Sequence, residues 1–184
     1  MEPLFAEFRS GHRRAQPPAD LVIRQARDAD VRGIARLVAA RSGKRVAETR
    51  STIQSEFARM AVDPTPRKLL CVAESGGRIV GFGRATLVET ARLSGSRGLE
   101  DGWYLMGVLV APALRGRGVA WRLTDWRLRR IRARADQAFY FANARNQVSV
   151  ALHRGFGFEE LTREFAFPNV TFSGGEGILF ALRW

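Results

Sequence analysis

The chain has 184 residues, 46% hydrophobic and 26% charged, with a formal net charge of +12. That composition excludes bulk disorder, and the length suits one domain able to bury a core without staples. A single cysteine, Cys71, excludes a disulfide framework, and with only His12 and His153 beside it no structural zinc or other metal site is expected.

No window approaches the roughly 18 apolar residues of a membrane span. Met1–Asp20 lacks a continuous apolar stretch followed by a small-residue cleavage site, so no signal peptide is expected and the expected location is cytoplasmic. Residues 1–20 mix Pro, Gly and Arg with a short apolar patch, Leu4, Phe5 and Phe8. They read as an N-terminal arm ending at Pro17-Pro18, ahead of a single domain over residues 21–184.

Leu21–Ala26 reads as a first strand. Asp28 is then expected to cap a helix running to about Ala40, with Val31, Ile34, Leu37 and Val38 at helical spacing. A second helix is predicted over Val46–Met60 and is stopped by Pro64 and Pro66. Leu69–Ala73 and Ile79–Val88 read as strands joined by a tight turn at Ser75-Gly76-Gly77. Ala91–Gly102 is a loop. Trp103–Val110 is an apolar strand in which Gly107 marks a bulge or a close backbone approach.

Arg117–Ala135 reads as a helix with two apolar arcs. Ala120, Thr124, Leu128 and Ile131 form one; Val119, Leu123 and Trp126 form the other, with arginine stripes between them. Two arcs suggest two neighbours, one of them a partner chain. With the C-terminal aromatics Phe165, Phe167, Phe172, Phe180 and Trp184, they predict a homodimer. Ala138–Ala142 is a buried strand, Asn146–Arg154 a short helix, Phe158–Phe167 a long strand and Gly177–Leu182 a last one. The order strand, two helices, three strands, helix, strand, helix, two strands describes a mixed α/β fold.

The basic residues are unevenly placed. Arg115–Arg134 holds eight arginines and one acid, Asp125. A local basic element points to an anionic ligand or to a solvated helix face. Within it a strand ends at Val110, a short loop turns, and a helix opens on Arg115-Gly116-Arg117-Gly118-Val119-Ala120. Helix N-termini expose unpaired N–H groups and a partial positive charge, and glycines let a phosphate approach them. A Walker loop is excluded because neither Lys44 nor Lys68 lies in GxxxxGK[ST]. A dinucleotide fingerprint is disfavoured because its third glycine position holds Trp121. A phosphate cradle and an ordinary strand–helix turn both remain open from these residues alone.

Two motifs in order carry a resemblance. Arg115-Gly116-Arg117-Gly118-Val119-Ala120 is similar to the [QR]-x-x-G-x-[GA] element of the GCN5-related N-acetyltransferases (GNAT). Asn146 to Phe158 follows their N-x-x-A-x-x-x-Y-x-x-x-G-F element, with Ser149 in place of the Ala and His153 in place of the Tyr. The resemblance covers about Trp103–Phe158.

It implies a mixed, mostly antiparallel twisted sheet of about seven strands, splayed between the fourth and fifth, with about four helices. It implies acetyl-CoA as acyl donor, no metal, and direct acetyl transfer to a primary amine of a small molecule or peptide. The pantetheine arm would pair with the backbone of Leu109 and Val110. The pyrophosphate would lie on the amides of Arg115, Gly116, Arg117, Gly118, Val119 and Ala120, and Asn146 would help hold the cofactor. The Val110 N–H would face the developing oxyanion, and His153 would stand at the position of the catalytic acid or pack on the cofactor.

Glu89, Glu100 and Asp101 are candidates for the base that takes the amine proton. Tyr104, Tyr140 and Cys71 read as core. Two further readings remain open: an acyl-CoA-binding regulatory module without catalysis, suggested by the Tyr-to-His departure, and a basic nucleic-acid-binding protein, for which no recognised motif is present.

Overall fold

The computed structural model describes residues 16–63, 67–172 and 174–184. The apolar patch of the N-terminal arm and the helix-stopping Pro64 and Pro66 lie outside them. Seven strands and four α-helices follow in the order β1 (Val22–Gln25), α1 (Val31–Ser42), α2 (Val46–Ala61), β2 (Lys68–Ser75), β3 (Arg78–Val88), β4 (Gly102–Val110), α3 (Val119–Arg132), β5 (Gln137–Asn143), α4 (Gln147–Arg154), β6 (Glu159–Thr162) and β7 (Gly177–Arg183). The strands are hydrogen-bonded in the order β1-β2-β3-β4-β5-β7-β6. The β4–β5 pair is parallel, and the β1–β2, β5–β7 and β6–β7 pairs are antiparallel. This is the mixed seven-stranded sheet expected from the sequence. No helix among the described residues is long and apolar enough to cross a membrane.

The chain divides into two compact units. Among the described residues, one runs up to Ala85 and over Gly107–Arg129 and holds β1, α1, α2, β2, most of β3, the end of β4 and most of α3. Its helical spacing places Val31, Ile34 and Ile53 against Leu70, Val72 and Phe82. A second cluster joins Val119, Leu123 and Trp126 to Leu21, Cys71 and Ala73. The β2–β3 turn is built on Gly76 and Gly77 at φ of 55° and 66°, the left-handed pair a two-residue hairpin requires.

The helix start differs from expectation. Asp28–Asp30 forms a 3-10 turn, and it is Asp30 that works there: its carboxylate accepts from the Arg27 N–H at 2.8 Å and from both terminal nitrogens of Arg24 at 2.7 Å. Asp30 is buried, so its charge is retained only because these donors meet it. Burial alone would raise its pKa, but the Arg24 bonds and the Arg27 N–H more than offset this and hold it below the usual carboxylate range.

The other unit comprises Thr86–Met106 and Arg130–Trp184 among the described residues. Its core joins Tyr104, Phe139, Phe165, Leu179 and Val88, flanked by Phe141, Phe167 and Phe172. Here the long strand expected over Phe158–Phe167 shortens to Glu159–Thr162. The pairing of β6 with β7 slips between Glu160 and Thr162, and Phe165 turns into the aromatic core. Ala166 instead pairs with Arg97 across an isolated bridge.

The second α3 arc, Val119, Leu123 and Trp126, is buried inside its own unit; of the C-terminal aromatics in the other, Phe165 and Phe180 are buried, Phe167 and Phe172 half-buried and Trp184 exposed.

Candidate functional site

β4 changes character along its length. Trp103, Tyr104 and Leu105 are buried and pair with Ala138, Phe139 and Tyr140 of β5. Gly107 then adopts a φ of +70°, a left-handed residue within a strand and the backbone signature of a bulge. Val108, Leu109 and Val110 beyond it are half-buried. The Ala111 N–H donates to the Val80 carbonyl at 2.8 Å and ends the strand.

Pro112–Leu114 makes a 3-10 turn, in which the Leu114 and Arg115 amides donate back to Ala111 and Pro112. The chain next passes through two left-handed glycines, Gly116 and Gly118, each at a φ of +73°. A Cβ built on either meets nothing within 4 Å. Glycine is therefore demanded by the backbone conformation, and the space in front of it is open.

The first bond of the α3 ladder runs from the Arg122 N–H to the Gly118 carbonyl at 3.1 Å. The amides just before it sit at the positive end of the helix, where intrahelical acceptors are lacking. Arg115 and Arg117 are exposed on the same turn, and the Arg115 Nε donates to the Val110 carbonyl at 3.4 Å. Arg115 thus bridges the end of β4 to the loop. Open space beside two glycines, a helix N-terminus and two exposed arginines suits a pyrophosphate, so the residues present fit a CoA-type ligand.

Asn146, His153 and their neighbours form a second constellation, within the other unit. The Asn146 side chain accepts from the Ser149 N–H at 3.2 Å and so caps α4. His153 is buried at 2% exposure, its ring stacked on Tyr140 with centroids 3.5 Å apart. Its Nδ1 lies 2.8 Å from the Ser149 carbonyl oxygen. A carbonyl only accepts, so Nδ1 is the protonated nitrogen. A neutral ring then carries a lone pair on Nε2, and only an imidazolium has a proton to give there. The Tyr140 hydroxyl donates to the Ser149 Oγ at 2.6 Å, and burial pushes its pKa upward. Ser149, the departure from the small Ala of the motif, thus serves both rings.

Two of the three candidate bases are committed elsewhere. Asp101 accepts from the Thr90 N–H and Oγ1 at 2.8 and 2.6 Å, bonds that hold its pKa below the usual range. Glu89 pairs with Arg92 at 2.6 Å. The backbone of Glu100 binds the Tyr104 hydroxyl, while burial pushes that phenol up to about 12.

Arg127, one of the eight arginines of the basic stretch, is fully buried. Its Nε donates to the Leu123 carbonyl at 3.2 Å and its Nη2 to the Thr124 Oγ1 at 2.9 Å. Its Nη1 donates to two strand carbonyls, Arg84 at 2.9 Å and Gly107 at 3.1 Å. At 3.6 residues per turn Arg127 falls between the two apolar arcs of α3, which are one continuous buried face around it. That position was the available signal.

Comparison with known proteins places these features. No curated protein matches the sequence. A ribosomal-protein-alanine N-acetyltransferase from Brucella melitensis is 21% identical with a TM-score of 0.64, covering 89% of this chain and 99% of its own. The Salmonella typhimurium yncA structure, solved with its cofactor acetyl-CoA, is 19% identical with a TM-score of 0.66, covering 90% and 94%. The paia N-acetyltransferase of Thermoplasma acidophilum, solved with coenzyme A, is 10% identical with a TM-score of 0.62, covering 89% and 99%. These similarities show the fold. The family model described as acetyltransferase (GNAT) family matches residues 34–158, more than half of the chain and inclusive of both motifs, so the chain belongs to the GNAT acetyltransferase family.

Proposed function

We propose that the protein is an acetyl-CoA-dependent N-acetyltransferase acting on a primary amine of a small molecule or peptide. The observation that carries the reading is the open glycine turn at Gly116 and Gly118, joined to a helix N-terminus and flanked by Arg115 and Arg117. Bound acetyl-CoA supplies an activated acetyl thioester. In this reading the amides of Gly116 to Ala120 hold the pyrophosphate, Arg115 contributes its guanidinium because its amide is engaged by the Pro112 carbonyl, and the Leu109–Val110 backbone aligns the pantetheine arm. In the same reading the Val110 N–H would donate to the oxyanion that develops as the amine adds.

Asn146 acts in this reading through the helix it caps. His153 acts as packing for Tyr140 and α4, because its Nδ1 proton is committed to Ser149 and its ring is buried. The proposed acceptors are peptide N-termini and small amines.

Calorimetric titration with acetyl-CoA tests the reading. Saturable binding supports it, and a parent protein that takes up no acetyl-CoA at millimolar concentration contradicts it. Binding without turnover on a broad amine panel favours the regulatory-module alternative. A nucleic-acid function would show an affinity falling steeply with salt in filter binding.

A further inference from the structure

Arginine is almost never fully buried unless paired, because its charge loses water. Arg127 is fully buried, and the groups that bind its guanidinium are three carbonyls and one hydroxyl. The two strand carbonyls explain what it does. Gly107 is a left-handed residue within β4, the backbone signature of a bulge, and its carbonyl accepts from Arg127. One nitrogen of Arg127 makes that bond and binds the Arg84 carbonyl of β3 at the same time.

The guanidinium is also fenced. A Cβ on Gly83 would lie 3.2 Å from its Nε, 3.3 Å from its Cζ and 3.2 Å from the Cys71 Sγ. Only glycine there leaves it room without a shift. Arg127 belongs to the helix whose first turn forms the phosphate cradle, so α3 holds one end of that site and pins the bulge beside the other.

Resting on the acetyl-CoA reading, we propose that Arg127 is a positioning residue for the acyl-donor arm: by bridging the Arg84 and Gly107 carbonyls it fixes the β4 bulge, and with it the direction of the Val108–Val110 peptides that receive pantetheine.

Two ligands separate this from a scaffold role. CoA spans both the cradle and the Leu109–Val110 segment, whereas 3′-phospho-ADP carries the nucleotide and phosphates and no pantetheine. Calorimetry on the parent, Arg127→Met and Arg127→Lys with both ligands reads the difference. The expected result is CoA affinity weaker by about tenfold in Arg127→Met, the order of one lost hydrogen bond, with 3′-phospho-ADP affinity unchanged. Arg127→Lys keeps the charge but cannot bridge two carbonyls in the same way, and is expected to show a smaller loss of the same kind. It decides the question if Arg127→Met does not fold. Equal loss for both ligands, or unchanged CoA affinity in a folded variant, overturns the proposal. A parent that binds neither ligand overturns the acetyl-CoA reading itself, and its own titration reveals that before any variant is made.

Discussion

Gly118→Ala separates backbone strain from ligand binding. Gly118 has a φ of +73°, and a Cβ there meets nothing within 4 Å. Its cost in the free protein is therefore the left-handed backbone alone, about 1 kcal/mol. Gly43, which ends α1 at a φ of +71° with equally open surroundings, is the matched control. Gly43→Ala and Gly118→Ala should both lower the melting temperature by about 2–4 °C, the usual effect of 1 kcal/mol in a chain of this size.

Their behaviour with CoA should then part. At 100 times its dissociation constant CoA adds about 2.7 kcal/mol to the parent and to Gly43→Ala. In Gly118→Ala the methyl group occupies the space a phosphate oxygen needs against the amides. Losing one charge-assisted bond weakens binding about tenfold and leaves about 1.4 kcal/mol at the same CoA concentration. Paired melting curves with and without CoA read this directly. A Gly118→Ala protein that keeps the full parental shift would refute the assignment of the turn as the phosphate site.

Other outcomes follow from the same geometry. Gly81→Ala would place a Cβ 2.9 Å from Leu123 Cδ1 and 3.0 Å from Ala73 Cβ, and should cost about 1–3 kcal/mol by overpacking in a denaturant titration. His153→Ala should lower stability by about 1–3 kcal/mol through the lost stack on Tyr140, while turnover at saturating substrate and its pH profile stay unchanged. A turnover loss of about 10²-fold or more, with the alkaline limb of the profile altered, would restore His153 as the acid. Asp30 has a folded-state pKa below its unfolded value, so its contribution is present above about pH 4 and is lost as pH falls through the lower, folded value. The parent should lose stability in acid more steeply than Asp30→Asn; equal slopes would contradict this. Asn146→Ala should cost about 1 kcal/mol by removing the α4 cap, read as a lower melting temperature.

The glycine turn proposed as the phosphate site was legible because its determinants are local: a strand ending at Val110, two glycines and a helix start stand within ten residues. The β2–β3 turn was legible for the same reason. Features that depend on distant partners were not. Asp28 looks like the helix cap by position, but a 3-10 turn leads into α1, and the carboxylate held there is that of Asp30, bound by Arg24 of β1 and the Arg27 N–H rather than by the helix amides. Phe158–Phe167 reads as one long strand, but the aromatic core draws Phe165 out of it. Arg127 looked solvent-facing because its residue type outweighed its place between the two arcs. The burial of His153 depends on Tyr140, which no spacing along the chain reveals.

The central claim is acetyl transfer, and mass balance tests it most directly. The protein is incubated with acetyl-CoA and a panel of peptide N-termini, amino acids and small amines, while free CoA thiol and acetylated amine are both quantified. Thiol released mole for mole with a new acetyl-amine, dependent on enzyme and weakened in Gly118→Ala, is the predicted result. A parent that binds acetyl-CoA but releases thiol no faster with any amine than without one would contradict it.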